Sequence, residues 1–206
     1  MVVRSREIYE NPVCGERVVI RRGNDEDGDE IVWDLYLAPG GTVVGEHYHP
    51  SADERFTLVD GRLGLRAGGS TLMMDRVGHS VLAAAGTRHY FWNASDGETR
   101  VLIQMRGGVD RFEQVVFRQL YGLARDGRTD AKGKPGLLQS AVTLLEFSDI
   151  VRFAAPPWPV QRALFGVLAP IARALGHQAI LPEYRTYQAP VVPELEPLPP
   201  EVIVSW

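Results

Sequence analysis

The sequence predicts an all-β domain followed by an α-helical extension, and two observations carry this prediction. Before residue 108, short apolar segments alternate with glycine-containing turns at roughly ten-residue intervals, a spacing typical of a β-sandwich or barrel. After residue 108, apolar residues recur every three or four positions, which is the period of an amphipathic helix. We therefore expect a β-barrel domain over residues 1–108 and a helical extension with an extended proline-rich tail over residues 109–206.

The first half of the chain divides into strand-like segments bounded by turn signals such as PGG, DG and AGG. In chain order the predicted strand segments are ERVVIRR, EIVWDLYLA, RFTLVDGRLGLRAGG, STLMMDRVGHSVLAAAGTRHYFWN and TRVLIQMRGG. The acidic stretch GNDEDGDE, residues 23–30, lacks the ordered acceptor spacing of an EF-hand, so we interpret it as a solvated hairpin loop.

Three helices are predicted for the extension. The first is indicated by apolar residues at helical spacing before Gly127, namely Phe112, Val115, Val116, Leu120 and Leu123. The second covers LLQSAVTLLEFSDIVRF, and the third covers PPWPVQRALFGVLAPIARALG. An apolar stripe on the third helix should be buried against the barrel, another helix or a second subunit; its members are Val160, Leu164, Val167, Leu168, Ile171 and Leu175. The last stretch, PVVPELEPLPPEVIVSW, should be extended.

Composition and charge exclude several classes of protein. The 206 residues are 45% apolar and 23% charged, which is ordinary for a globular protein with a core. The net charge of −4, with both signs mixed along the chain, gives no electrostatic reason to expect a nucleic acid partner. The N-terminus has no signal-peptide type of apolar run, so a cytoplasmic location is expected. Cys14, the only cysteine, can form neither an internal disulfide nor a cysteine zinc cluster.

A candidate metal site lies in GTVVGEHYHPSADERFTLVDG, residues 41–61. Side chains two apart in a strand share a face, so His47 and His49 project together. Glu54 follows after a short link, which suits a carboxylate ligand on the next strand. Borderline divalent metals take such nitrogen and oxygen ligands well. Taken alone, however, the two histidines fit a polar strand face that binds nothing equally well.

A second segment, GHSVLAAAGTRHYFWN, adds His89. Together the two segments resemble the two motifs of the cupin family. The first motif is matched at every spacing by Gly41, His47, His49, Glu54 and Gly61, and the second by Gly78, Gly86, His89 and Asn93. Ala84 stands at the usual proline position, a departure that loosens a turn and removes no ligand. The resemblance runs from about residue 15 to residue 108 and does not include the helical extension.

The resemblance implies a double-stranded β-barrel, or jelly roll, that holds one divalent metal ion on His47, His49, Glu54 and His89. Three neutral imidazoles and one carboxylate would leave such an ion a net local charge of about +1 and, in octahedral geometry, open positions for other molecules, as a catalytic site requires. The ligands do not choose among iron, manganese, nickel, zinc, cobalt and copper, because sites of this kind follow the Irving–Williams order.

Strand parity predicts an apolar wall around the site. On two strands the expected inward residues share the face of a ligand, and they are Phe56, Leu58, Phe91 and Asn93. On two others one whole face is apolar, and its members are Trp33, Leu35, Leu37, Val101, Ile103 and Met105. Few charges are expected in the pocket. Glu46 and Tyr48 flank the ligands as possible acids, bases or supporting partners, although the barrel exterior is the simpler position for both. No catalytic residue and no further cofactor is assigned.

Three functions remain open on the sequence. The first is a metal-dependent enzyme of dioxygenase type that acts on a small apolar or aromatic molecule. The second is a metal-dependent isomerase, lyase or decarboxylase that uses the ion as a Lewis acid. The third is a non-enzymatic barrel that binds a small molecule. A DNA-binding regulator is disfavoured because the helices lack the short turn and basic recognition helix of a helix-turn-helix.

The expected partners follow from the same features. They are a small-molecule ligand or substrate and a second copy of the chain in a homodimer, since cupins often associate through their sheets and the extension adds apolar surface. No nucleic acid and no membrane span are expected. The uncharged run between Arg162 and Arg173 has only ten residues, far short of the ~20 that span a bilayer.

Overall fold

Two antiparallel sheets and a set of C-terminal helices make up the chain in the computed structural model, which describes residues 4–23, 29–109 and 111–204. The predicted class, all-β with an α-helical extension, is confirmed. The predicted acidic hairpin loop includes residues 24–28, which lie outside the described residues.

The strands form a six-stranded sheet in the order β1-β2-β3-β10-β5-β8 and a five-stranded sheet in the order β11-β4-β9-β6-β7. Their bounds are β1 Ile8–Asn11, β2 Glu16–Arg22, β3 Glu30–Leu37, β4 His47–Tyr48, β5 Asp53–Asp60, β6 Leu63–Ala67, β7 Ser70–Met74, β8 Ser80–Ala83, β9 His89–Asn93, β10 Thr99–Arg106 and β11 Arg152–Phe153. The longest predicted segment, residues 70–93, is thus three strands separated by turns.

The hydrophobic core lies between the two sheets, and strand parity predicted its members. The core residues on the predicted faces are Trp33, Leu35, Leu37, Phe56, Leu58, Phe91, Val101, Ile103 and Met105, all buried. The side chains alternate because a strand turns successive residues to opposite faces of the sheet. The inward face of the barrel is therefore almost wholly apolar except where the metal-ligand candidates stand.

The first helical segment is a π-helix, Gln114–Leu120, that continues into the short helix α1, Tyr121–Arg125. A π-helix closes i→i+5 hydrogen bonds and so brings residues five apart close to one face. Phe112 and Phe117 are five apart, and their ring centroids lie 5.6 and 5.5 Å from that of Trp33. Phe112 lies just before the π-helix and Phe117 lies within it, and both rings pack on this one tryptophan of the core.

The predicted second helix is too long. Helix α2 covers only Leu137–Glu146, and the chain then turns and forms β11, which pairs with β4. Ile150 and Val151 continue the apolar pattern of the helix, but both are buried beside the barrel rather than on α2. The open edge of β4 accepts Arg152 and Phe153 as a new strand. The extension therefore contributes a strand to the barrel sheet.

The third helix, α3 Trp158–Ala174, lies against α2 through a face of small residues. Ala169 and Ala172 are fully buried there, and Gln161 donates a hydrogen bond to the carbonyl of Phe153 at 2.8 Å. Five members of the predicted buried stripe are instead exposed by 43–67%, and they are Val160, Leu164, Val167, Ile171 and Leu175. Burial of these five within the chain was a wrong prediction, because the closely packing face is the alanine face.

The C-terminal strap, residues 190–204, crosses the outer face of the six-stranded sheet after the short helix α4, Pro182–Arg185. Val191 forms a bridge with Glu7, and the carbonyl of Pro190 accepts a hydrogen bond from Ile8 at 2.8 Å. Val202 packs on the outward-facing cluster Val32, Val59 and Leu102. Because the strap covers this outer face, all eight residues of β3 are buried. None of the helices in the described residues has the length and apolarity to cross a membrane.

Candidate metal centre

The four predicted metal ligands converge at one end of the barrel interior. His47 lies on β4, and His49 directly follows that strand. Glu54 is the second residue of β5 on the opposite sheet, and His89 is the first residue of β9, where it is the register partner of His47. One possible ligand atom from each residue lies within 4.8 Å of the others. All four residues are buried, with exposed fractions between 1 and 8%. Such a group could hold a metal ion.

Backbone carbonyls orient all three imidazole rings. The Nδ1 atom of His47 lies 3.1 Å from the carbonyl oxygen of Gly45, that of His49 lies 2.8 Å from that of Ile150, and that of His89 lies 2.9 Å from that of Thr87. Because a carbonyl oxygen only accepts, each Nδ1 must carry the proton and donate it. Each Nε2 of a neutral ring is then left as a lone-pair donor for a metal, the usual arrangement around bound ions.

The closest contact in the cluster shows that a cation fits there. Nε2 of His89 lies 2.9 Å from Oε2 of Glu54, and neither buried atom has a hydrogen-bond partner. With Nδ1 already protonated, a neutral His89 would set one lone pair against a carboxylate oxygen. Buried polar atoms without partners are costly. A metal ion between the two atoms, or a proton on His89 in its absence, removes this cost.

Electrostatics separates the members of the cluster. Burial raises the pKa of Glu54, but the nearby His89 and His49 outweigh it, so the pKa lies well below its ordinary value. Burial lowers the pKa of His89, yet the Glu54 carboxylate more than offsets this and raises it. Burial and the two neighbouring histidines together hold the pKa of His47 well below its usual range. The cluster therefore presents one carboxylate and at least one neutral imidazole to any ion.

The remaining motif residues shape the backbone around the ligands. The Asn93 amide donates hydrogen bonds to the carbonyls of Leu37 at 2.9 Å and Gly97 at 2.7 Å, so its role is structural. Gly86 donates to the carbonyl of His49 at 2.8 Å from a backbone with φ +79°, which favours glycine. Thr87 N–H bonds to the carbonyl of Ala84 at 2.9 Å, so the turn closes without the usual proline.

An apolar pocket opens beside the cluster and is walled by both parts of the chain. The barrel contributes Trp33, Leu35, Phe91 and Ile103, and the extension contributes Phe112, Phe117, Leu144, Val151 and Phe153. His47, His49 and Glu54 also line it. An apolar lining is thus present, and the extension forms a large share of it. The other residues predicted for the wall do not line this pocket, and they are Leu37, Phe56, Leu58, Asn93, Val101 and Met105.

A second polar group in this pocket was missed from the sequence. It consists of Glu16, Asn11 and Tyr121, all of which line the pocket and are buried. The alternation of side chains along β2 could have indicated Glu16, because this residue shares the inward face of the strand with the core residues Val18 and Ile20. No motif marks the three residues: Asn11 and Glu16 face each other across the β1–β2 pair, and α1 brings Tyr121 to them from a distant part of the chain.

The two flanking residues named from the sequence lie outside this pocket. Glu46 pairs with Arg66 at 3.2 Å, and both side chains are at least one-third exposed. Tyr48 is half-buried on the face of β4 opposite to the ligands. Neither residue lines the pocket beside the metal-ligand candidates.

Residues 33–105 match the family model described as "Cupin domain". A curated relative, the tetracenomycin polyketide synthase protein TcmJ of Streptomyces glaucescens, is 35% identical over 71 residues, which make up 34% of this chain and 46% of the relative. The match therefore spans just under half the length of that relative.

Two solved structures illustrate the similarity at the level of the fold. A predicted oxalate decarboxylase from Thermotoga maritima has 19% identity and a TM-score of 0.44, over 52% of this chain and 99% of that one. A sugar phosphate isomerase of the cupin superfamily from Silicibacter pomeroyi has 23% identity and a TM-score of 0.41, over 52% of this chain and 70% of that one.

Proposed function

We propose that this chain, whose residues 33–105 form a cupin domain, binds one divalent metal ion on His47, His49, Glu54 and His89 and is an enzyme that acts at that ion on a small apolar or aromatic molecule. The observation that carries the proposal is the common orientation of the rings. Three Nδ1–H groups bond to backbone carbonyls, so three Nε2 atoms and a Glu54 oxygen are free for one ion beside an apolar pocket.

The ion, when bound, would supply Lewis acidity and, if it is redox-active, access to dioxygen. The residues of the chain do the rest. The carbonyls of Gly45, Ile150 and Thr87 hold the rings in one tautomer before binding, which lowers the cost of ordering the site. The aromatic wall excludes water, so that charges in the pocket interact more strongly than in solvent.

The substrate class follows from the wall and from the curated relative. The relative carries the name of a polyketide synthase protein, and the wall here is rich in rings, including Trp33, Phe91, Phe112 and Phe117. We therefore propose a polyketide-derived or similar aromatic molecule that carries oxygen groups. Aromatic side chains favour such a body through stacking and edge-to-face contacts.

Among the possible reactions we favour a dioxygenase type, because an apolar pocket beside a metal suits the handling of dioxygen. The alternatives are a metal-dependent isomerase, lyase or decarboxylase, and a barrel that binds its ligand without turnover. Oxygen uptake by iron(II)-loaded protein during turnover of an aromatic polyketide would support the first. Turnover with zinc or manganese in the absence of oxygen would support the second, and binding without turnover under all metals would support the third.

Metal analysis of purified protein tests the site itself. His89→Ala should reduce the metal content per chain at least tenfold relative to wild type, because a ligand and the partner of Glu54 are both lost. His79→Ala is the matched control, since His79 lies outside the cluster, and it should retain the wild-type content. Equal metal content in wild type and His89→Ala would refute the assignment.

A further inference from the structure

A buried carboxyl group stands in the same pocket as the metal-ligand candidates and belongs to none of their interactions. Glu16, at the start of β2, is 5% exposed and lines the pocket together with His47, His49 and Glu54. Among the residues that the structure describes, no cation forms an ion pair with it. A carboxyl group buried without a cation is expensive in its ionised form.

Two donors hold one side of this carboxyl group. The Asn11 amide donates a hydrogen bond to Oε2 of Glu16 at 3.2 Å, and the Tyr121 hydroxyl lies beside the carboxyl and hydrogen-bonds to it. Asn11 is itself fixed, because its Oδ1 accepts the backbone N–H of Cys14 at 3.2 Å. Tyr121 directly follows the π-helix, a segment whose unusual winding is often found at functional sites.

The surroundings keep this group neutral at physiological pH. Burial raises the pKa of Glu16 to about 8, against the smaller opposite effects of Tyr121 and Asn11, and Glu54 adds to the rise. The other titratable groups near Glu16 do not change charge near physiological pH. Burial raises the pKa of Cys14 to about 12 and that of Tyr121 well above its usual value, while the pKa of Glu54 is low.

A purely structural role does not require an acid at this position. An apolar residue would extend the wall without the cost of burying a carboxyl group, but it would present no hydrogen-bond donor to the pocket. What a neutral carboxylic acid adds is a proton that it can donate to another oxygen. Because the Asn11 amide donates to Oε2 and the carboxyl group lines the pocket, that proton can be directed toward a bound molecule.

We propose that Glu16, held by Asn11 and Tyr121, is a substrate-binding residue that donates a hydrogen bond to a carbonyl oxygen on the apolar molecule bound in this pocket. The inference rests on the proposed function, because it assumes that this pocket binds the substrate. It deepens that function by naming a chemical group that the substrate carries. The substrate would be an aromatic or apolar ketone, or a related carbonyl compound, with one oxygen at Glu16 and its reacting part at the metal-ligand cluster.

A pair of isosteric probes tests the proposal without knowledge of the substrate. Acetophenone and α-methylstyrene have nearly the same shape, but only acetophenone has an oxygen that accepts a hydrogen bond. Binding of both to the full-length, metal-loaded protein is measured by protein-observed NMR titration at pH 6 and pH 9.5. Wild type should prefer the ketone about tenfold at pH 6, the value of one good hydrogen bond, and lose the preference at pH 9.5.

Two variants separate donation from packing. Glu16→Gln keeps a donor at every pH, so it should prefer the ketone equally at pH 6 and pH 9.5, whereas Glu16→Leu should show no preference at either. Glu10→Gln, an exposed carboxylate on β1, is the matched control and should behave as wild type. If Glu16→Leu does not fold, the contrast between wild type and Glu16→Gln at pH 9.5 still decides the matter.

The outcomes also separate this inference from the proposed function. A wild-type protein without ketone preference at pH 6, or a Glu16→Gln variant that loses its preference at pH 9.5, overturns the role of Glu16. Repeating the titration after chelation shows whether the preference is independent of the ion. If the wild-type protein prefers the ketone but metal analysis finds that it binds no ion, the metal site is refuted and the role of Glu16 stands.

Discussion

A neutral imidazole carries its single proton on either nitrogen, and in this protein backbone carbonyls fix that proton on Nδ1 in all three rings of the cluster. The carbonyls of Gly45, Ile150 and Thr87 each take up an Nδ1–H group. Two of these carbonyls lie two residues before the histidine they orient, but Ile150 lies 101 positions after His49. The ring of His49 is therefore positioned by a segment that the family motifs do not include.

At the residue scale, the raised pKa of Glu16 predicts that the stability of the folded protein depends on pH. Its pKa is about 8 in the folded protein and 4.5 as an ordinary carboxyl, so between these values the folded state binds a proton that the unfolded state does not. Its contribution to stability is complete below pH 4.5 and disappears as pH rises through 8. The free energy of unfolding should fall by roughly 3–5 kcal/mol from this group over that window.

Glu16→Gln should remove this contribution to the pH dependence, because an amide does not titrate. The measurement is urea unfolding of wild type and variant at pH 5 and pH 9. The difference in unfolding free energy between the two pH values should be smaller by a few kcal/mol in the variant. Glu10→Gln should keep the wild-type difference, and an unchanged difference in Glu16→Gln would contradict the assignment.

At the scale of single elements, two glycines in helices have opposite surroundings. A Cβ atom on Gly122 in α1 would lie 2.7–2.9 Å from the ring of Tyr184, whereas one on Gly166 in α3 would meet nothing within 4 Å. Tyr184 is 1% exposed and donates a hydrogen bond to Asp126 at 2.8 Å, so its ring has little room to move. Close contact with this ring therefore fixes α4 on α1.

The two alanine substitutions should change stability in opposite directions. Gly122→Ala should lower the free energy of unfolding by about 1–3 kcal/mol through overpacking against Tyr184. Gly166→Ala should raise it by up to about 1 kcal/mol, because alanine favours an exposed helix position over glycine. Thermal or urea unfolding of both variants measures the two changes in the free energy of unfolding. Equal effects would show that α4 does not depend on close contact with α1.

Some elements could be predicted from the sequence and others could not, for physical reasons. The resemblance to the cupin motifs implied the candidate ligands His47, His49, Glu54 and His89, and alternation and turn signals predicted the barrel strands. The end of α2 does not, because Ile150 and Val151 continue its apolar period, whereas the chain leaves the helix after Glu146 and Arg152 and Phe153 pair with the distant edge of β4. Glu16 was not predicted because the sequence carries no motif for it, although Asn11 faces it across the β1–β2 pair, and Tyr121 joins it only through tertiary structure.

At the scale of the whole molecule, the C-terminal strap acts as an outer layer of the six-stranded sheet. Arg100 donates hydrogen bonds to the carbonyls of Glu196 and Pro197 at 3.1 and 3.2 Å, and it also pairs with the fully buried Asp34 at 3.2 Å. Burial raises the pKa of Asp34, and the charges of Arg21 and Arg100 oppose that rise. The strap thus shields from solvent an ion pair on the outer face of the sheet.

The attachment of the strap can be tested with two neighbouring residues. Val202 is 7% exposed and packs on Val32 and Leu102, whereas Ile203 is 68% exposed. Val202→Ala should lower the free energy of unfolding by about 1–2 kcal/mol through lost burial. Ile203→Ala should change it by less than about 0.5 kcal/mol. Calorimetric unfolding compares the two, and equal effects would contradict the packing of the strap.

The homodimer stays a prediction, and the exposed stripe of α3 supplies its test. Val167 and Ile171 are 67% and 51% exposed, one turn apart on the helix. If the stripe joins two copies, Val167→Lys with Ile171→Lys should convert the dimer to a monomer in light scattering, because buried unpaired charges oppose association. A double Arg162→Gln, Arg173→Gln variant is the control. A wild-type monomer at high concentration would show the prediction to be wrong.

The pairing of Val191 with Glu7 also bears on how the protein is made. A chain leaves the ribosome from its N-terminus, and here Glu7, next to the first strand, meets its bridge partner only after residue 191 has emerged. The ring of His49 likewise receives its orienting carbonyl only once residue 150 has emerged. A nascent barrel therefore exposes the edge of β1 until residue 191 has emerged, and the candidate ligands lack their finished geometry until residue 150 has emerged.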